Sequence, residues 1–506
     1  MRKTIRGIRV SVSNIGFLCL LGTVIGLQGP TASGAPAAPV SSSSESPGAH
    51  NVESSASKFT GRSSEIRVRI FDRIQSRNIH LSNSGSGLTI YVGDNDTPIY
   101  QIRTGTTIEL SIGGTDVYLR AGNKGLHAGS IRIAASDGET FSLRTQSGPV
   151  GTRQYFGQLE VRVRPDGLGF EMINRVPLEA YIEAVVGSEY GLGDLEGSKA
   201  MAVAARTYAV YAMQNVENTF HLVDSDRAQV YRGAAAATPL TREAARATAG
   251  EVLTHEGEPI EAVYSSSNGG HSANNESIWA GTPFSYLRGR KDPYDSVSPD
   301  ASWRFELEAK ALHRELSRRY GLKVKEVRFD RPGSDGRVTS VTLVSDGGRD
   351  RVISGSQFRW AVVSNHGEKS LKSTFFKARK KRGKYRFDGH GYGHGVGLSQ
   401  WGAHGMANSG YGYRDILDFY YPGTRLDQRF EGSSLTPGAV SLPVIAANSG
   451  ASSSWTSSTV STVASWGRSM DSKVKSEAAS VEGSSSSSTR SSGEKSTRLK
   501  KHRLGW

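Results

Sequence analysis

Cysteine is nearly absent from this chain: among 506 residues there is one, Cys19, inside an apolar run close to the start. With that run removed, no disulfide, thiol nucleophile or cysteine-ligated metal centre is possible, and stability must come from an ordinary core. Long hydrophobic runs are also lacking. After Leu27 no stretch is apolar for long enough to cross a bilayer, which predicts no stable membrane span once the leader is gone. Acidic residues are in deficit, 48 against 62 lysines and arginines, for a net charge of +14. A basic excess suits nucleic acid, an anionic membrane or an acidic wall polymer.

The first residues choose among these. Arg2, Lys3, Arg6 and Arg9 precede an apolar run from Ile15 to Leu27, and Thr31-Ala32-Ser33-Gly34-Ala35 follows with small side chains suited to cleavage. That three-part order predicts a secretory signal peptide over 1–34, and Gly16-Phe17-Leu18 before Cys19 does not fit a lipid-attachment signal. Export to the periplasm, the cell wall or the extracellular space excludes nucleic acid as a partner. Residues 35–58, rich in Ser, Pro, Ala and Gly, predict a disordered linker. Residues 429–506 predict a disordered Ser-rich tail, with a basic tip at Arg498, Lys500, Lys501 and Arg503 that is either solvated or attached to an anionic polymer.

Between linker and tail the pattern predicts an α+β protein. Ile66, Val68 and Ile70 alternate with arginines, and further period-two segments fall at Leu88–Val92, Ile108–Leu110, Val117–Leu119, Ile131–Ile133, Phe141–Leu143 and Leu159–Val163, with turn residues between them. A β-rich region over 59–154 therefore precedes a mixed domain over 155–428. Within the latter, about 300–385 reads as an inserted lobe: helical spacing over Trp303–Tyr320, strands at Lys323–Val327, Val338–Val344 and Val352–Gly355, and a short helix entered at Phe358-Arg359-Trp360.

The mixed domain is organised around Val176–Met213, VPLEAYIEAVVGSEYGLGDLEGSKAMAVAARTYAVYAM. Pro177 suits a helix start, and Leu178, Tyr181, Ile182, Val185 and Val186 form one apolar stripe. Three turns past Leu178 that stripe ends on Glu189, a carboxylate that must be paired, surface-tipped or protonated. Glycines then break the helix, and a second, alanine-rich helix runs from about Ser198, a plausible N-cap, to Met213, so that the two pack as a hairpin. Arg206 in its middle is either half of a structural Arg–Glu pair or a functional group; spacing leaves both open.

Two later segments bear on chemistry. Ser265-Ser266-Ser267-Asn268-Gly269-Gly270 ends a strand, where small residues let backbone and hydroxyls approach a ligand, or simply make a surface turn. GHGYGHGVGLSQ at Gly389–Gln400 alternates glycine, which predicts a tightly approached extended loop and does not match dinucleotide-binding spacing. His390, His394 and His404 could in principle hold zinc. With no cysteine and no carboxylate pattern beyond Asp388, we read no metal and no cofactor: His394, Ser399 and Gln400 are hydrogen-bonding groups facing a cleft, and His390 packs behind them.

Three blocks in order carry a resemblance. The run VPLEAYIEAVVGSEYG…LEGSKAMAVAARTYAVYA, then YSSSNGGHSANNESIW at Tyr264–Trp279, then FDGHGYGHGVGLSQWGAHGMA…YRDILDFYYPGT at Phe387–Thr424 resemble the stage II sporulation protein D / amidase enhancer family. Tyr190-Gly191, Gly197, Ser198 and Met201 depart from its usual residues. The resemblance implies a peptidoglycan-remodelling protein, a lytic transglycosylase whose catalytic acid falls on Glu189, with Arg206, Ser266, Asn268, His394, Ser399 and Gln400 as substrate-binding residues. The alternative it implies is the family's other form, a glycan-binding activator of a separate cell-wall amidase. A general acid needs a pKa raised towards neutrality, which a touching guanidinium would oppose, so Arg206 is placed in orientation or substrate binding rather than against Glu189.

Overall fold

The computed structural model describes residues 65–146, 151–214, 219–279, 281–330 and 333–429. The expected signal peptide, the linker and all of the tail but Arg429 lie outside them. Within them the protein is α+β, with strands concentrated in the N-terminal part.

That part is two antiparallel-rich sheets over one core. The first, of seven strands, runs in the order Leu222–Val223, Glu65–Ile70, Phe170–Pro177, Gln158–Val163, Ser130–Ala135, Leu88–Val92, Tyr100–Ile102. The second, of six, runs Arg153–Phe156, Thr140–Thr145, Asn78–Ser82, Ile108–Gly113, Asp116–Ala121, Lys124–Ala128. Alternation does the work: Ile66, Val68 and Ile70 face inward with Ile79, Leu81, Leu110, Leu119, Ile131 and Leu159, and all are buried in one cluster. The boundary expected near residue 154 does not divide this unit. Arg153–Phe156, Gln158–Val163 and Phe170–Pro177 pair directly with Thr140–Thr145, Ser130–Ala135 and Glu65–Ile70, because each would otherwise be an unpaired edge.

Strand Phe170–Pro177 feeds the helices α1 (Leu178–Glu189) and α2 (Leu195–Gln214), followed by α3 (Pro239–Ala247) and α4 (Asn275–Trp279). α2 starts three residues before Ser198. Asp194 caps it, its Oδ1 accepting from Gly197 N at 2.6 Å, while Ser198 is buried inside the first turn and donates to Asp194 O. The alanines of α2 allow α1, α3 and the C-terminal helices to close around it.

The lobe has its own core, from Trp303 to Phe387. Its first segment corrects the helical reading of Trp303–Tyr320. Trp303–Glu308 is a strand paired with Lys384–Gly389, and only Ala309–Tyr320 is helix, α5. Trp303, Phe305 and Leu307 alternate with charged residues, a period-two pattern that outweighs the longer spacing to Leu312. The sheet Val324–Phe329, Ser340–Ser345, Arg351–Ser354 and helix α6 (Gly355–His366) complete it. The chain then returns to the main core through α7 (Gln400–Asn408) and α8 (Tyr413–Tyr420). Among the described residues no helix is long and apolar enough to cross a membrane.

Candidate functional site

Glu189 is the last residue of α1, and the stripe that precedes it is buried throughout. Its Oε1 accepts from Val230 N at 2.6 Å and its Oε2 from Gln400 Nε2 at 3.3 Å. Burial pushes the carboxyl up to about 7, and nearby Asp226 adds to the shift; the two hydrogen bonds and Arg232 oppose it without cancelling it. Behind it lies a buried polar chain: Tyr181 donates to Gln229 Oε1 at 2.9 Å, and Gln229 Nε2 donates to the Tyr264 hydroxyl at 3.0 Å. Gln229 was not legible in the sequence; its only mark is a polar residue between Ala228 and Val230.

The other motifs arrive by topology. Tyr264-Ser265 pairs in parallel with Leu398-Ser399, which lays the serine loop beside the glycine loop and sets Gln400 at the first turn of α7. Gly391, Gly393, Gly395 and Gly397 all have positive φ, and a Cβ on Gly397 would lie 2.1 Å from Val263 O. Only glycine can make this path, as the alternation predicts.

Glu189, Ser266, His394 and Gln400 line one cleft of about 660 Å³. His394 is neutral: burial holds its imidazole down to about 4, Nε2–H donates to Tyr264 O at 2.8 Å, and Nδ1 accepts from Val396 N at 3.1 Å. Both ring nitrogens are thus spent inside the protein, which ties the glycine loop to Tyr264, and the ring packs against Trp279.

Three of the expected site residues are not on the cleft. Asn268 and Ser399 are enclosed and serve a buried carboxylate pair that the sequence reading missed. Asp295 accepts from Ser267 Oγ at 2.7 Å, Gly269 N at 2.8 Å and Ser399 Oγ at 2.5 Å; Asp292 accepts from Asn268 Nδ2 and the Tyr420 hydroxyl, each at 2.6 Å. These bonds hold the serine loop against α7 and so position Gln400. The available signal was Asp292-Pro293-Tyr294-Asp295, an N-cap followed by proline. Arg206 is fully enclosed and does not reach the cleft. Its Nε and Nη2 grip both oxygens of Glu179 at 2.8 and 2.7 Å, and Nη1 and Nη2 donate to the carbonyls of Glu251 and Ala245. The assignment of Arg206 to substrate binding is therefore replaced by the structural Arg–Glu pair.

The histidines weighed as zinc ligands point to different partners. His390 Nδ1 meets Ala301 O, His394 meets Tyr264 O, and His404 Nδ1 lies 2.7 Å from Asp194 Oδ2. Among the described residues no group of three or more His, Cys, Asp or Glu side chains is gathered around one centre.

The lobe, whose sequence carried no chemical signal, supplies one wall of the cleft through Arg359, Trp360 and Glu368. Arg337, also from the lobe, is wholly buried and donates from Nη2 to Asn268 O at 2.7 Å and His271 O at 3.0 Å, so the lobe is tied to the serine loop.

Two departures from the usual motif compensate each other. The Tyr190 ring is buried, its hydroxyl donating to Asp194 Oδ2 at 2.9 Å, and a Cβ on residue 197 would stand 1.9 Å from that hydroxyl. Glycine at 197 thus leaves room for the Tyr190 hydroxyl, and also for Asp194 Oδ1, which would lie 2.3 Å from the same Cβ. Gly197→Ala is expected to cost about 1–3 kcal/mol by overpacking. In a denaturation cycle with Tyr190→Met, the double variant should cost less than the sum of the singles by about 1 kcal/mol; strict additivity would refute the compensation.

The central stretch has counterparts in known proteins. The family model described as Stage II sporulation protein matches residues 167–255, the stretch holding α1, α2 and α3. Stage II sporulation protein D of Bacillus subtilis (strain 168) is 30% identical over 285 residues, covering 51% of this chain and 76% of that protein. The Bacillus amyloliquefaciens protein of the same name is also 30% identical, over 279 residues. The Amidase enhancer of Bacillus subtilis (strain 168) is 27% identical over 391 residues, 68% of this chain; the match spans 53% of that relative's length. An α+β protein with a carboxyl at the turn of its central helical hairpin is what the fold and site define. The chain belongs to the stage II sporulation protein D / amidase enhancer family.

Proposed function

We propose that this is an exported cell-wall protein that cleaves the glycosidic bond between N-acetylmuramic acid and N-acetylglucosamine in peptidoglycan as a lytic transglycosylase. The observation that carries this is the Glu189 carboxyl at the end of α1 on the wall of an open cleft, where burial pushes it up to about 7. A group with that pKa can both donate and accept a proton near neutrality. Glu189 would first protonate the leaving glycosidic oxygen of the glucosamine unit. The muramyl C6 hydroxyl then attacks its own anomeric carbon and returns its proton to Glu189, giving a 1,6-anhydro end and a carboxyl ready for the next turnover. Because the nucleophile belongs to the substrate, one carboxyl suffices and attack is intramolecular. Gln400 and the Val230 amide orient the carboxyl.

The similarity to a protein named Amidase enhancer favours a second reading, a glycan-binding activator of a wall amidase. The two are separated by mass spectrometry of intact and peptide-stripped peptidoglycan incubated with the purified chain and no partner. Anhydro-muramyl products are expected; binding without cleavage on both substrates would replace the enzyme with the activator.

A further inference from the structure

Of the large apolar side chains left exposed among the described residues, the two that line the cleft with Glu189 are both tryptophans. Trp279 ends α4 in the main core and is 49% exposed; Trp360 stands on α6 of the lobe and is 52% exposed. Trp303, by contrast, is 9% exposed and spends its indole N–H on Gly391 O. Keeping two indoles half in water forgoes the burial that ordinarily places such rings in a core. The Trp279 ring has a built backing. The Trp279 ring packs on His394 at 4.9 Å between centroids, and Ser356 Oγ at the start of α6 donates to Ile278 O, so the lobe helix and α4 meet beside both rings.

We propose that Trp279 and Trp360 form a two-ring platform on which successive pyranose rings of a β-1,4-linked N-acetylhexosamine strand stack, so that the inserted lobe is part of the substrate site. This rests on the glycan reading of the cleft given above. One face of such a sugar presents only C–H groups, apolar and slightly positive, which complement the electron-rich face of an indole; its hydroxyls and acetamido group point to the rim. There the cleft offers Asp226, Arg227, Arg359 and Glu368 to them. A platform with one ring from the core and one from the lobe binds a strand across the junction, and a cleft of about 660 Å³ is in the range of sites that hold a ligand of a few rings.

The test measures binding of purified peptide-free glycan strands by calorimetry, using the full-length chain in a Glu189→Gln background so that the strand stays intact. Trp279→Ala and Trp360→Ala are each expected to weaken binding on the order of tenfold, with Trp360→Phe recovering to within about threefold, because a smaller ring still stacks. Val352→Ala, exposed on the lobe away from the cleft, should bind as the parent does. Melting curves confirm that each variant is folded; if Trp279→Ala is not, Trp279→Phe and the strand-induced shift of tryptophan emission take its place. Parental affinity in either alanine variant would overturn the platform while leaving the glycan reading intact. A parent that binds no strand would overturn both.

Discussion

Glu189→Gln is expected to lower the release of anhydro-muramyl products by a factor of about 10²–10⁴ while leaving the fold in place. The amide keeps an oxygen to accept from Val230 N, so the end of α1 is held, but it has no proton to donate to a leaving oxygen. Wild-type activity should fall as the pH rises above about 7, because the protonated carboxyl is then lost. A variant that retains wild-type rates would remove Glu189 from the reaction.

The same carboxyl leaves a mark on stability. Its ordinary value is 4.5, and burial raises it to about 7 in the folded chain. The folded state therefore holds the proton more tightly than the unfolded state. The resulting stabilisation is fully present below about pH 4.5 and is lost as the pH rises through about 7. Glu189→Gln abolishes this term. Relative to wild type, the variant should gain melting temperature between about pH 5 and pH 8, measured on the same buffers.

Arg206→Met is expected to cost about 3–5 kcal/mol and to lower the melting temperature by on the order of 10 °C. It leaves the Glu179 carboxylate facing a core with its bidentate partner gone, and strips the carbonyls of Ala245 and Glu251 of their donors. Arg206 thereby joins α1, α2, α3 and the strand Glu251–His255 at one point. Adding Glu179→Leu should recover part of the loss, because an apolar pair replaces an ion pair better than a single orphaned charge does. A substrate-binding arginine would behave differently: affinity for glycan would drop with the melting temperature unmoved. Thermal denaturation and strand binding on the same variant separate these outcomes.

Local signals made the elements legible. The stripe from Leu178 to Val186 has helical period, the strands Glu65–Ile70 and Gln158–Val163 alternate, and four glycines at every second position demand a path that no Cβ permits. The sequence also pointed to Glu189, because a carboxylate that ends an apolar stripe is conspicuous at the level of spacing. It did not separate Arg206 the ligand-binder from Arg206 the clamp. That depends on Glu179, 27 positions earlier, being turned towards it by the hairpin. Asn268 and Ser399 were marked as polar residues in the right loops, but only the fold turns them onto Asp292 and Asp295 and away from the cleft.

What the sequence determined alone is the α+β class, the helical hairpin, the glycine path and one candidate acid, each encoded in residues within a few turns of one another. What the tertiary structure decided is which polar groups meet. The parallel pairing of Tyr264-Ser265 with Leu398-Ser399 brings Gln400 to Glu189 across 211 positions of sequence, and the folding of the lobe onto the core sets Trp360 in the same cleft. Burial, the cause of the raised Glu189 pKa, is likewise a property of the assembled core, because desolvation depends on everything packed around the carboxyl and not on its neighbours in the chain.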